Sequence, residues 1–358
     1  MKTMNLRKLS ILLVLALLLT ALLTGCGGGA DPAPAPAEPS GDAAEPASGG
    51  EFKARKVMIG HVRPEGTSTD VDTKAFIDEI TQNTDGNFTF EVYPNSQLGN
   101  YDIVQERIGI GDVEMQLAPA APNMNAAIVL PSAPYLASTW DEAKEVFARD
   151  GILYSAIEDM FAEENIKMLA GYPKYFGSII TTKEPNSPGD PNVGKNVLLR
   201  VPGIKSFELT ALALGYQATP IAFSEAFTAI QTGIVDGAIG SGGEGYWNSF
   251  RDVTEYYLAV NSQFEIWWIQ MSMDVWNDLS PDEKAVVETA AKNFEAARWE
   301  VAPDEERYYE DLLEENGAVI IRFTDEEYKA MADKVRAEVW PEIKDDYGAE
   351  LFDRITQR

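Results

Sequence analysis

NVLLRVPG (196–203), followed by IKSFELTALALGYQATPIAFSEAFTAIQTGIVDGAIG (204–240), is the stretch whose reading decides the fold. An apolar run ends in Arg200, and Pro202-Gly203 turns the chain into a helical pattern that Gly215 stops. Ala218 to Ala222 is extended, and a second helix starts near Ser224 and is stopped by Gly233. A second apolar strand, Ile234 to Ile239, then ends in a glycine-rich loop. In an open α/β sheet, ligands are held at the rim beyond the strand ends. Arg200 stands at such an end, which makes it the leading candidate for an anion-binding residue.

The same order occurs earlier. Val57 to Val62 reads as a strand, and Thr69 or Asp70 is placed to cap a helix carrying Phe76, Ile77 and Ile80. Asn87 to Tyr93 alternates as a strand should, Tyr101 to Ile108 is helical, and a Gly-containing turn leads into a strand over Val113 to Leu117. RIGIGDVEMQLAP (107–119) parallels AIQTGIVDGAIGS (229–241) in this order. Two successive α/β units predict a bilobal architecture, two open mixed sheets flanked by helices and facing one cleft. One larger doubly wound sheet is the alternative.

Between the units, Trp140 to Arg149 and Gly151 to Asn165 read as helices and Ile166 to Ala170 as a strand. Gly171 to Gly177 reads as an aromatic-rich loop, and Ser178 to Thr182 as a strand crossing between lobes. A strand-like run covers Phe264 to Met271. Ser280-Pro281-Asp282-Glu283 has capping-box spacing, opening a helix toward Asn316 that is expected to break near Pro303. At ~1.5 Å per residue that helix reaches across both lobes. Ala318 to Phe323 reads as a strand and Asp325 to Trp340 as a helix.

The first residues are an address. Lys2, Arg7 and Lys8 precede the apolar run Ile11 to Leu23, which is short for a membrane span. The run ends in Leu23-Thr24-Gly25-Cys26, which resembles a bacterial lipobox and implies a lipidated Cys26. Residues 1–25 are then the signal peptide and 26–51 a Gly/Ala/Pro/Ser tether without large apolar side chains. The expected layout puts 52–173 with 262–300 in lobe I and 174–261 with 301–345 in lobe II, leaving 346–358 as a tail. The formal charge is −28, from 57 acidic and 29 basic residues, which argues against nucleic acid or anionic lipid as a partner.

Catalytic supplies are thin. There is one histidine, His61, and one cysteine, Cys26, so no metal-ligand cluster or internal disulfide can be read. No nucleophile elbow or P-loop is present, and nothing calls for a cofactor. The glycine run from Gly237 to Gly245 reads either as a rim turn or as a loop whose backbone N–H groups approach a ligand. Glu244 lies within it; facing the cleft, it would attract an amine and repel an anion. Aromatics including Tyr172, Tyr175, Phe176 and Trp247 divide between packing and a cleft lining.

EVYPNSQLGN (91–100) and TPIAFSEAFTAIQTGIVDG (219–237), with LLRVPG (198–203) and LSPDEKAVVETAA (279–291), carry a family resemblance. The chain resembles the substrate-binding subunits of tripartite ATP-independent periplasmic (TRAP) transporters over nearly all of Lys56 to Tyr347. That resemblance implies two α/β lobes, crossing strands, a long helix spanning both, and an organic-acid ligand passed to membrane permease subunits. It also implies that Arg200 binds the ligand carboxylate. Two places depart from the family pattern. Where many relatives have Gln-Glu-Asn, this chain has Ala238-Ile239-Gly240, and it lacks the arginine many carry near Gly177. A monocarboxylate with an apolar or aromatic body therefore fits better than a C4-dicarboxylate.

The expected site is Arg200 with His61, Arg63, Asn123, Tyr172, Tyr175, Phe176, Phe223, Gly240, Ser241, Glu244 and Trp247. The expected function is a monomeric, lipid-anchored extracytoplasmic solute receptor without a covalent step. Its alternatives are an amino-acid or amine receptor using Glu244, a carboxylate-dependent hydrolase, and a receptor subunit for a sensor kinase.

Overall fold

The computed structural model describes residues 52–357. The readings of a signal peptide, a lipidated Cys26 and a tether fall on residues 1–51, which lie outside those described. The chain begins with β1 (Arg55–His61), α1 (Ser68–Asn83), β2 (Phe88–Tyr93), α2 (Tyr101–Gly109) and β3 (Met115–Ala118). Helices α3 (Trp140–Val146) and α4 (Ile152–Glu163) lead to two strands flanking Gly177, β4 (Ile166–Phe176) and β5 (Ser178–Thr181). Next come β6 (Leu198–Val201), α5 (Lys205–Ala213), β7 (Gln217–Pro220), α6 (Phe223–Gln231), β8 (Gly237–Ser241) and α7 (Gly243–Phe250). The chain continues through β9 (Tyr256–Leu258), β10 (Phe264–Ser272), α8 (Met273–Asp278) and α9 (Pro281–Glu315). It finishes with β11 (Val319–Ile321), α10 (Asp325–Ile343) and α11 (Ala349–Thr356).

Two separate sheets form, which sets aside the single doubly wound sheet. One has the order β2-β1-β3-β10-β4, the other β11-β9-β5-β8-β6-β7. Both are mixed: β1 runs parallel to β2 and β3 while β10 is antiparallel to β3 and β4. In the second sheet β6 is parallel to β7 and β8, and β5 is antiparallel to β8 and β9. The lobes are joined by the crossings β4 to β5 and β9 to β10, which meet where the Gly177 N–H donates to Gln263 O (2.7 Å). Strand β10, FEIWWIQMS, is buried along its whole length, its polar Glu265, Gln270 and Ser272 included, as a strand covered on both faces is.

Helix α9 ties the lobes together. It packs on α1 and β4 on one side and on α7 and β11 on the other. Ser280 and Glu283 form the capping box that starts it, with Pro281 in the first turn. The break expected at Pro303 does not occur; the helix runs unbroken through it. Buried contacts against both lobes outweigh the hydrogen bond that a proline removes.

Four further expectations are corrected. The segment Gly171 to Gly177 is not a loop, because β4 continues to Phe176 along β10. Its aromatic residues are interspersed with glycine, proline and lysine on a buried strand, a composition that reads as a loop. The run after Gly240 is also not a loop, since α7 begins at Gly243. Helix α1 takes Thr67 as its N-cap residue, with Thr69 and Asp70 buried in its first turns. The segment read as a tail carries helix α11.

Candidate ligand-binding cleft

Arg200 is the next-to-last residue of β6, in register with Thr219 of β7 and Ala238 of β8 in parallel pairing. It thus stands at the carboxyl rim of the parallel strands, where such sheets hold ligands. Its Nε donates to Ile221 O (2.8 Å), which aims the rest of the guanidinium outward from the sheet. The side chain is 5% exposed, and no carboxylate pairs with it among the described residues. Burial lowers its pKa, with Tyr101 and Tyr246 acting in the opposite sense.

A cavity of about 200 Å³ opens against Arg200. One wall is Arg200, Gly203 and the turn Pro220–Phe223 of the second lobe; the other is Asn100, Tyr101, Asp102, Pro122 and Asn123 of the first. Arg200, Asn123 and Phe223 are therefore brought together as expected. Two larger grooves of about 390 Å³ lie elsewhere. Cations there are exposed or already engaged, as Arg149 is with Glu295 (3.1 Å), so neither groove offers a desolvated unmatched charge.

Phe223 links the cavity to a buried ionic cluster. Its ring lies 5.8 Å from Arg200 Cζ and 4.9 Å from Arg63 Cζ, and Trp267 packs on Arg63 at the same 4.9 Å. Arg63 Nε donates to Glu244 Oε2 (3.1 Å), Lys174 Nζ meets the same oxygen (3.2 Å), and Arg63 Nη2 donates to Tyr175 Oη (2.8 Å). Asn248 donates to the other Glu244 oxygen (3.1 Å). Burial alone would raise the Glu244 carboxyl, but Lys174 and Arg63 outweigh it and hold the group at about 2. Glu265, in the same neighbourhood, is pushed up to about 7 by burial, although Trp267 donates to it at 2.6 Å. Arg63 and Lys174 thus share one firmly ionised carboxylate, while Arg200 borders the cavity without an ion-pair partner among the described residues.

The glycines of α7 make this cluster possible. A Cβ on Gly242 would lie 2.5 Å from Tyr175 Cγ, and one on Gly245 would lie 2.6 Å from Arg63 Nη2. The glycines therefore receive side chains from the opposite lobe, and the run is a strand end and a helix start rather than a rim turn. Gly240 has φ +111 and is skipped where Ser178 pairs Ser241 and Ile179 pairs Ile239, so it is a β-bulge residue. Ser241 is buried beneath Gly245, whose Cβ would lie 2.9 Å from its own.

Other expected residues fall outside the cavity. Tyr172 stacks on Phe294 (5.2 Å) and donates to Asp72 (2.7 Å). Phe176 packs against Phe264 (5.2 Å) and Trp140 (5.7 Å) in the core. Trp247 lies under Arg251 (5.4 Å) on α7. His61 pairs with Asp70 (3.2 Å), and burial lowers its pKa, so it stands neutral in the first lobe.

Lys174 was missed. Its partner residues show why it matters: Glu265 pairs Tyr175 and Ile266 pairs Pro173, so Lys174 is the extra residue of a bulge. A proline, which cannot donate to a ladder, beside a lone lysine in an apolar strand was the available signal. Asn100, Tyr101 and Asp102 were also missed, although Asn100 closes the motif EVYPNSQLGN.

Two lobes, crossing strands and a spanning helix around a cation-rich cleft define a solute-binding protein. Residues 59–345 match the family model described as bacterial extracellular solute-binding protein, family 7, and the chain belongs to that family. It is 26% identical to a solute-binding protein of Roseobacter denitrificans, over 80% of this chain and 88% of that protein. It is 27% identical to the ectoine-binding periplasmic protein of Halomonas elongata, over 82% and 87%. Among solved structures, the sugar acid binding protein of Advenella mimigardefordensis in complex with galactonate superposes with TM-score 0.78 at 22% identity, covering 86% of this chain and 98% of that one. The family consists of binding receptors, so the reading without a catalytic step rests on membership.

Proposed function

We propose that this chain is the extracytoplasmic receptor of a TRAP transporter, holding an organic acid by its carboxylate at Arg200 and delivering it to membrane permease subunits. The observation that carries this is Arg200 itself, a buried guanidinium bordering a cavity with one backbone carbonyl as its partner. An unmatched buried charge is costly, and a ligand carboxylate can accept bidentately from the remaining N–H groups. Several related structures carry acids, among them galactonate and succinate, which supports the ligand class. Because Arg63 and Lys174 already share Glu244, and Arg200 is the one cation lining the cavity among the described residues, a second ligand carboxylate finds no second guanidinium there, which favours a monoacid. The amine reading through Glu244 loses support for the same reason.

Binding would bias the open–closed equilibrium of the lobes, and the permease would read the closed form. Substituting Arg200→Ala is expected to abolish the thermal stabilisation produced by the acid that co-purifies with the protein, identified by mass spectrometry. Near-wild-type stabilisation would mean that the carboxylate lies elsewhere. The Leu23-Thr24-Gly25-Cys26 ending supports a lipid anchor. Cys26→Ser is expected to move the protein from the membrane fraction to the soluble one.

A further inference from the structure

We infer that closure of the two lobes takes up one proton on Glu265, because Glu244, arriving from the second lobe, takes over the two cations that otherwise serve Glu265. The lobe motion belongs to the receptor reading above. The proton does not depend on what Arg200 holds.

Glu265, Arg63 and Lys174 belong to the first lobe and share one indole. Trp267 Nε1 donates to Glu265 Oε1 (2.6 Å), while Arg63 Cζ lies 4.9 Å and Lys174 Nζ 5.0 Å from the Trp267 ring centre. Glu265 also pairs with Tyr175, the neighbour of Lys174, across β10 and β4. Yet neither cation forms an ion pair with Glu265, because both are engaged by Glu244 of α7. The other Glu265 oxygen accepts no hydrogen bond among the described residues. At 9% the residue is the most exposed of the four charged groups, so a proton from water can reach it.

A buried carboxyl without a paired cation favours its protonated form, and Glu265 accordingly stands at about 7. The other groups around it are neutral or matched. Tyr101 of α2, Tyr175 of β4 and Tyr246 of α7 are all pushed up by burial and keep their protons. Arg200 acts on Tyr101 and Tyr246 but is not a partner of Glu265. Arg298, which also acts on Lys174, is paired with Asp72 (3.2 Å) and Glu305 (2.6 Å).

When the lobes part, Glu244 leaves with α7 and carries its charge into water. Arg63 and Lys174 stay against the indole, beside Glu265, whose ionised form then stabilises them. The closed form thus holds a proton that the open form releases. Closure is favoured at acid pH and weakened as pH rises through 7. Glu244, held at about 2, acts in the opposite sense only below about pH 4.5.

Pulsed electron spin resonance between nitroxides at Gln82→Cys on α1 and Gln231→Cys on α6 reads the separation of the lobes; both positions are exposed. Cys26→Ser removes the one native cysteine, and unfolding and refolding strips bound solute. The closed-to-open ratio is expected to fall ~10-fold between pH 6 and 8.5. Glu265→Gln keeps the acceptor for Trp267 and mimics the protonated acid, so it should hold the pH 6 ratio throughout, within about 2-fold. Arg200→Ala should respond to pH as the parent protein does. A ratio that is constant or rises with pH overturns the inference. A fall as steep in Glu265→Gln also overturns it and moves the proton to another raised carboxyl, such as Glu306. Loss of the response in Arg200→Ala overturns it too, placing the titrating group at that arginine. The thermal test of Arg200 is independent of each of these outcomes.

Discussion

Glu244 illustrates how a residue's neighbours reverse its meaning. Seen in sequence beside five glycines, it suggests a free carboxylate that could select an amine. Folded, it is 2% exposed and shared by Arg63 and Lys174, both of which reach it from the other sheet's side of the cleft. Breaking a buried pair by removing one partner typically costs ~3–5 kcal/mol, since the stranded charge stays desolvated. Glu244→Gln strands two cations and keeps the shape, so a loss of that order is expected in urea unfolding. A loss below ~1 kcal/mol would show that water reaches the cluster. Arg200 was legible because it ends an apolar strand before Pro-Gly, a local signal. Arg63 and Lys174 gain their roles from contacts across 181 and 70 positions, which no local pattern encodes.

At the scale of elements, the strand and helix order was readable wherever periodicity was clean, as in the alternation of Phe88, Phe90 and Val92 in β2. It failed where a strand is buried on both faces or begins with glycines. Strand β4 carries Gly171, Pro173 and Gly177 at or near its end and still pairs along β10, because tertiary burial overrides local preference. Helix α7 opens Gly-Glu-Gly, a sequence of poor intrinsic helicity, because α9 at Tyr309 and Glu310 crowds Gly243 and Arg63 crowds Gly245. A Cβ at Gly242 would meet Tyr175 at its Cγ and Cβ, close to the strand backbone. Gly242→Ala is therefore expected to destabilise the protein by ~1–3 kcal/mol, the usual cost of overpacking. Unchanged melting and unchanged ligand affinity together would show that Tyr175 can move aside freely.

For the whole molecule, buried carboxyls shape the response to pH. Burial raises Glu164, Glu265 and Glu306 to about 7 from an unperturbed 4.5. Each contributes stability that is complete below about pH 4.5 and is lost as pH rises through 7, because the folded state holds the proton longer. Glu244, held at about 2, contributes in the opposite sense, its stability present above about pH 4.5 and lost toward pH 2. His61, its pKa lowered by burial, opposes the raised carboxyls below 6.5, and Glu295, also raised by burial, adds to their side. Calorimetric melting between pH 3 and 9 is expected to peak near pH 5 and fall on both sides. A melting temperature that climbs steadily from pH 5 to 8 would contradict the raised carboxyls. Glu244 is an acid mounted on one lobe and received by cations on the other, so the chain carries its own intramolecular competitor for closure. Such tethering gives a high effective concentration. The empty receptor is thus primed to shut unaided, and an arriving solute has only to complete the half of the cleft that Arg200 leaves open.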